Sequence, residues 1–209
     1  MRNLLSLRLP TSLSLLTFFF VLHSTPAVGS SAPAPTTATA NGSDFIRSSC
    51  DTTLYPELCY TSLSRYASAV QSSPSQLAKV AIGVSLSKAK RMAVFVSNLS
   101  RHADYGSDHR AAAAIHDCFS NLDDAVDQIR DSLKQMRSLG SGAGSLRFQM
   151  SNVQTWMSAA LTDQETCTDG FEDVADGSVK SDVVERAEKV KQVTSNALAL
   201  VNSVAEKGA

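Results

Sequence analysis

The residues of this chain best able to do chemistry are its four cysteines, because thiolates bind metals, act as nucleophiles and form disulfides. Cys50 and Cys59 stand close together, whereas Cys118 and Cys167 are far apart in the sequence. No C-x-x-C motif is present. Four cysteines can pair in three ways, and the cellular compartment decides whether they pair at all.

The N-terminus indicates that these cysteines pass through an oxidising compartment. Arg2 and Arg8 precede an apolar run at residues 12–22. This run is too short to cross a bilayer, which needs about 20 apolar residues, so a membrane anchor is the less favoured alternative. Small residues follow Pro26, and we predict that residues 1–29 are a cleaved secretory signal peptide. Secretion favours disulfides over metal-bound thiolates.

The remaining polar residues form no recognisable catalytic motif. His102, His109 and His116 recur every seven residues, but the turn-like DYGSD segment interrupts the helix face that they would share as metal ligands. GxSxG, HExxH and P-loop motifs are absent, and the glycine-rich GSGAG segment follows a predicted helix rather than a strand. The sequence therefore predicts no enzyme active site, no metal site and no cofactor.

Helices must position these residues, because apolar side chains recur at three- and four-residue spacing after Asp44. The predicted long helices cover residues 76–99, 109–139, 146–167 and 183–207, separated by DYGSD, LGSGAGS and ADGS. Long amphipathic helices with short turns favour an all-α, antiparallel up-down four-helix bundle. A shorter helical piece at 44–68, with Pro56 inside it, precedes the bundle. In the last helix we expect an inward face made of Val184, Ala187, Val190, Ala197, Leu198 and Val201.

Composition divides the chain into three parts. After the signal peptide, residues 30–43 carry no charge and almost no large apolar side chain, so they are predicted to be a flexible linker. Residues 44–206 are long enough to form one domain with its own core. After residue 43 the chain has 17 Lys and Arg and 20 Asp and Glu, a formal charge of −3, which does not suggest a nucleic-acid-binding protein. No later segment is apolar enough to span a membrane.

A hairpin of the second and third long helices would bring two cysteines together. If these helices run antiparallel about LGSGAGS, Cys118 and Cys167 are equidistant from the middle of the turn. They then lie level across the seam, where a disulfide can form. Cys50 and Cys59 are left to close a small loop. We expect both disulfides and no free thiol.

Three stretches of the chain together resemble the plant invertase and pectin methylesterase inhibitor domain. They are SSCDTTLYPELCYTSL, IHDCFSNLDDAVDQI and VQTWMSAALTDQETCTDGF, and the resemblance covers about residues 44–206. It implies a four-helix bundle preceded by a helical hairpin, with the first two and the last two cysteines paired. It also implies a secreted protein of the apoplast that inhibits an enzyme and is not an enzyme itself.

The resemblance is closer to the pectin methylesterase inhibitors than to the invertase inhibitors. Invertase inhibitors have Pro-Lys-Phe in the loop that enters the third bundle helix, whereas this chain has Ser145, Leu146, Arg147 and Phe148 there. No catalytic domain follows Ala209, so we expect a free-standing inhibitor that forms a 1:1 complex with pectin methylesterase. The alternatives are an inhibitor of acid invertase and a cell-wall binding protein without inhibitory activity.

The resemblance also implies which residues meet the enzyme. In pectin methylesterase inhibitors, the helices that carry the last two cysteines cover the pectin-binding cleft. The matching positions here are Ser120, Asp124 and Asp127 on the second long helix and Thr162, Thr166 and Asp169 on the third. Each set is spaced i, i+4, i+7 and so occupies one helix face. The family often has Glu where Ser120 stands. The alternative is an ordinary solvated polar face.

Two sequence features concern carbohydrate. A protein that binds pectin itself should present clustered Lys or Arg to the uronate carboxylates, whereas the expected enzyme-binding face is acidic. Asn41 and Asn98 each begin an Asn-x-Ser sequon, which predicts N-glycosylation of a secreted chain.

Overall fold

Four long helices form the body of the protein in the computed structural model, which describes residues 37–102, 108–141 and 144–208. The long helices are α4 (Pro74–His102), α5 (His109–Arg137), α6 (Leu146–Asp169) and α7 (Ser178–Gly208). Before them come α1 (Thr37–Cys50), α2 (Pro56–Leu63) and α3 (Ala67–Val70), with a 3-10 turn at Ser64–Tyr66. The described part of the chain contains no strand, so the predicted all-α class is confirmed.

The long helices pack as a closed ring, in which each contacts its neighbour in the chain and α7 returns to α4. Helices α4 and α7 run antiparallel, because Phe95, which follows Ser85 on α4, contacts Arg186, which precedes Thr194 on α7. Ser85 Oγ and Thr194 Oγ1 lie 2.7 Å apart between α4 and α7, and the Gln154 side-chain amide donates to Asn202 Oδ1 at 2.9 Å between α6 and α7. This is the up-down four-helix bundle expected from the sequence.

The core of the bundle follows from apolar residues that return to the same helix face. On α5, the side chains at every seventh position, Ile115, Leu122, Ile129 and Met136, are fully buried. Each such burial contributes roughly 1.5–3 kcal/mol. On α7 the expected inward residues Ala187, Val190, Ala197 and Val201 are buried. Val184 and Leu198 are only partly buried, and Val183 is fully buried instead.

Side-chain caps set the starts of two long helices. Asp108 accepts a hydrogen bond from the Ala111 backbone N–H at 3.0 Å at the start of α5, and Ser145 accepts one from Phe148 N–H at 3.2 Å at the start of α6. Such caps satisfy backbone donors that have no partner within the helix. Pro56 stands at the first position of α2, where its missing N–H costs nothing, rather than inside one continuous helix.

The first helix begins before the predicted domain boundary. Residues 37–43, predicted to be linker, form the first turns of α1. Gly42 is buried so close to α3 that a Cβ there would lie 2.5 Å from the Ala67 backbone oxygen. Ser43 Oγ lies 2.9 Å from the Tyr60 hydroxyl oxygen. The linker prediction is therefore wrong for residues 37–43, because tertiary contacts order a segment that has little apolar surface of its own.

The predicted signal peptide at residues 1–29 and the linker residues 30–36 lie outside the described residues and stay predictions. Most of the predicted DYGSD turn also lies outside them, and only Asp108 of this segment is described. None of the helices in the described ranges is both long and apolar enough for a membrane crossing.

Candidate partner-binding surface

A disulfide at the seam between α5 and α6 fixes the two helices that carry the candidate residues. Cys118 and Cys167 are joined, with their Cα atoms 4.0 Å apart. A second disulfide joins Cys50, at the end of α1, to Cys59 in α2. These are the pairs expected from the sequence, and no cysteine is free. The link between α5 and α6 prevents the helices from sliding past each other, so any surface built across them has a fixed register.

All six candidate residues lie on the outside of this seam. Ser120, Asp124 and Asp127 are exposed on α5, and Thr162, Thr166 and Asp169 are exposed on α6. Thr166 directly precedes the buried Cys167, and Ser120 follows the buried Cys118 by two residues. We call these two sets the seam rows. The structure brings the seam rows onto adjacent helices, and their contact with a partner stays a prediction.

The threonines of the seam rows are arranged for contact rather than for reaction. Thr162 Oγ1 donates to the Ser158 carbonyl oxygen at 3.2 Å, and Thr166 Oγ1 donates to the Thr162 carbonyl oxygen at 3.0 Å. Each hydroxyl proton is thereby directed into the helix, which leaves a methyl group and an acceptor lone pair facing outward. Neither hydroxyl is bonded to a side-chain base of the described chain, as an activated nucleophile would be.

The carboxylates of the seam rows differ in their surroundings. Asp127 forms an ion pair with Arg130 on the same helix. Asp124 and Asp169 form no ion pair with any described residue. Glu165, between the threonines, reaches Lys191 of α7 at 3.8 Å. The seam rows therefore present uncompensated negative charge, which would repel a partner carboxylate and attract a partner Lys or Arg.

Asp163 is an acid at the seam that the sequence analysis missed. Burial raises its pKa, a hydrogen bond with Gln128 of α5 opposes this shift, and the nearby Asp124 carboxylate adds to it. One Asp163 carboxylate oxygen and Gln128 Oε1 are buried without a hydrogen-bond partner in the described chain. The register that pairs the cysteines places residue 163 level with the buried Leu122, but the partial burial of Asp163 depends on how α6 packs against α5.

The turn that enters α6 lies at the other end of that helix. Leu146 and Phe148 are 46% and 58% exposed there. Phe148 precedes Thr166 by 18 residues, which corresponds to about 27 Å along the helix. The position of the invertase-inhibitor tripeptide is thus separate from the seam rows.

The other candidate residues lie apart from the seam rows. Asn41 and Asn98 are exposed on α1 and α4, so Asn41 lies in a helix rather than in a linker. His109 and His116 are exposed on α5, whereas the side chain of His102 lies outside the described part of the chain. Within the residues that the structure describes, no three His, Cys, Asp or Glu side chains come together as a metal site would require.

Comparison with known proteins decides what kind of molecule carries this surface. The sequence profile of the family "Plant invertase/pectin methylesterase inhibitor" matches residues 44–200. The chain belongs to this family. It is 41% identical to Pectinesterase inhibitor 11 of Arabidopsis thaliana, over 91% of this chain and 96% of that protein. It is 42% identical to the 21 kDa protein of Daucus carota, over 87% and 90% of the two chains.

A crystal structure of a mutant form of a pectin methylesterase inhibitor from Arabidopsis has the same fold. It superposes with a TM-score of 0.59 and covers 73% of this chain and 92% of that one. The sequences are 22% identical, so this likeness establishes the fold alone. As a member of an inhibitor family, the chain is not an enzyme, in agreement with the sequence analysis.

Proposed function

We propose that this protein inhibits pectin methylesterase by laying the α5–α6 seam across the substrate cleft of the enzyme. One observation carries the proposal: the six seam-row residues are all exposed on two helices that the Cys118–Cys167 disulfide holds together. The 41% identity to Pectinesterase inhibitor 11 supports the choice of target. The expected mode is steric occlusion, because no seam-row side chain is arranged to form a covalent bond.

The size of the seam sets a condition on the complex. Thr162 and Asp169 are seven residues apart, which corresponds to about 10 Å along α6. A stable interface buries about 800 Å² on each partner, which is more than rows of this length can supply. Contact must therefore extend along both helices beyond the rows. A rigid, disulfide-linked surface suits this task, because its backbone is already ordered before binding. The entropy cost of ordering the interface is therefore small.

The charge of the seam rows suggests that binding is linked to protons. The family resemblance implies that pectin methylesterases act through carboxylates in the cleft that the inhibitor covers. Asp124 or Asp169 beside such a carboxylate would be repelled unless the pair shares a proton, which raises the pKa of one member. The complex would then take up a proton on forming. Binding should accordingly tighten as pH falls toward the raised pKa and weaken as pH rises above it.

We further propose that the protein is secreted to the apoplast, acts in the cell wall as a 1:1 complex, and carries N-linked glycans at Asn41 and Asn98. The predicted signal peptide and the exposure of both asparagines support this. Size-exclusion chromatography with light scattering measures the stoichiometry of the complex. Treatment of the plant-expressed protein with a glycosidase should increase its gel mobility, and unchanged mobility would contradict glycosylation at both sites.

A side-by-side assay tests the proposed target. The purified mature chain is added to a plant pectin methylesterase and, separately, to an acid invertase. We expect inhibition of the esterase and unchanged invertase activity. Inhibition of invertase alone would establish the alternative target. Inhibition of neither enzyme, with the protein shown to be folded by circular dichroism, would leave a non-inhibitory wall protein and refute the proposal.

A further inference from the structure

The bundle is electrically polarised, and the edge formed by α4 and α7 is basic. Helix α4 carries five Lys or Arg residues and neither Asp nor Glu. Together α4 and α7 contain ten basic and four acidic residues, whereas α5 and α6 contain five basic and eight acidic ones. Because the four helices close a ring in chain order, the α4–α7 edge lies across the bundle from the α5–α6 seam.

A shallow groove of about 240 Å³ runs along this basic edge. Apolar side chains form its floor and cations form its rim; the lining residues are Met92, Phe95 and Val190, and Lys88, Arg91, Arg186 and Lys189. We call this the basic groove. Pockets for small molecules usually enclose about 300–1,000 Å³. The basic groove is therefore better suited to one stretch of a polymer that lies along the surface than to an enclosed ligand.

The α4 cations of the basic groove have no carboxylate partner among the described residues. Arg91 donates to the Ser87 hydroxyl at 2.7 Å, a neutral acceptor on its own helix. Lys88 forms no ion pair with any residue that the structure describes. Both are thus able to form charge-assisted hydrogen bonds with an incoming anion, which are stronger than bonds between neutral groups.

The α7 cations are held near the groove by weak contacts. The Arg186 guanidinium lies 4.6 Å from the centre of the Phe95 ring and 3.3 Å from Asp182. Lys189 Nζ lies 2.5 Å from Glu185. Both ion pairs are exposed and join residues one helical turn apart, and such pairs contribute little free energy. Another carboxylate can therefore compete for these two cations at small cost.

We propose that the basic groove binds a run of free uronate carboxylates, which is the de-esterified pectin that pectin methylesterase produces. Charge complementarity carries the assignment: four cations line an apolar floor that fits the faces of sugar rings. Methyl-esterified pectin is neutral and lacks this attraction. The inference rests on the proposed function in one respect, namely that the target enzyme generates this polymer beside the inhibitor. The α5–α6 seam lies on the opposite edge of the bundle. One inhibitor molecule can therefore bind the enzyme through the seam and de-esterified pectin of the cell wall through the basic groove.

A calorimetric titration without enzyme tests the proposal. The mature chain is titrated with polygalacturonate of defined length, and separately with highly methyl-esterified pectin, in the presence of a calcium chelator. Lys88→Gln/Arg91→Gln removes the two groove cations that α4 contributes. The matched control, Lys134→Gln/Arg137→Gln, makes the same change of charge at exposed positions on α5. Dextran sulfate and duplex DNA serve as unrelated polyanions.

We expect wild type and control to bind polygalacturonate alike, with affinity that falls as salt is added. The α4 variant should bind about tenfold more weakly, as expected for the loss of two exposed charge contacts. Absent binding, equal loss in both variants, or equally tight binding of the unrelated polyanions would overturn the proposal. The α4 variant should still inhibit pectin methylesterase as wild type does, so a failure here is distinct from a failure of the proposed inhibition.

Discussion

Removing the Cys118–Cys167 disulfide should destabilise the protein more than removing Cys50–Cys59. The bonded cysteines are separated by 49 residues in the first case and by 9 in the second. Loop-closure entropy for loops of these lengths corresponds to about 4 and about 3 kcal/mol, respectively, of stabilisation. All four cysteines are buried, so alanine is the suitable replacement, because serine would bury a hydroxyl group without a partner.

The assay is thermal and guanidinium unfolding of the two double-alanine variants beside the oxidised wild type. A loss of about 4 kcal/mol should lower the Tm by roughly 8–16 °C in a domain of this length. Inhibition of pectin methylesterase, measured well below the unfolding transition, should weaken for Cys118→Ala/Cys167→Ala, because the seam rows lose their fixed register. Equal losses of stability, or a larger loss for Cys50→Ala/Cys59→Ala, would refute the loop-closure reasoning.

Three further predictions test the fold and the charge of the seam. Gly42→Ala should destabilise the protein by about 1–3 kcal/mol, because its Cβ would lie 2.5 Å from a backbone oxygen of α3. A Cβ at Gly83 would meet no atom within 4 Å apart from the adjacent part of its own helix, so Gly83→Ala should stabilise α4 by about 0.5–1 kcal/mol. Urea unfolding midpoints that shift in the same direction for both variants would contradict this pair of predictions. Burial raises the pKa of Asp163, so the folded state binds this proton more tightly than the unfolded state does. The free energy of unfolding therefore declines as pH rises from the ordinary Asp pKa of about 4 through the raised pKa. The stability of Asp163→Asn relative to wild type should therefore increase with pH, and parallel pH profiles would count against this. The dissociation constant for pectin methylesterase should increase between about pH 5 and 7.5 and do so less for Asp124→Asn, whereas binding that tightens with pH would mean that the seam meets enzyme cations instead.

The long helices were predictable because their apolar periodicity is a local property of the sequence. Helices α5 and α6 begin at His109 and Leu146, where the sequence placed them. Helix α7 begins at Ser178, before the predicted start at residue 183, since its first turns are polar and carry little periodic signal. Most of its inward residues were assigned correctly, but Val184 was chosen in place of the fully buried Val183, because two adjacent valines satisfy the same pattern.

The N-terminal part was less predictable because it depends on contacts between helices. Nothing in the composition of residues 37–43 indicates a helix. Its contacts explain the order of the segment, namely the close approach of Gly42 to α3 and the pair formed by Ser43 and Tyr60. Asp163 was missed for a related reason, since its burial arises from packing against α5. The basic groove was missed because Lys88 and Arg186 are distant in the sequence and meet only when α7 returns to α4.

The most direct test of the central claim compares two tryptophan variants in the pectin methylesterase assay. Thr166 is exposed at the seam, and Val94 is a 61% exposed residue on α4, so neither substitution should disturb the core. Thr166→Trp places a bulky side chain where we expect the enzyme, and inhibition should weaken by about 100-fold or more, equivalent to about 3 kcal/mol. Val94→Trp should inhibit as wild type does. Undiminished inhibition by folded Thr166→Trp would contradict the claim that the α5–α6 seam covers the substrate cleft.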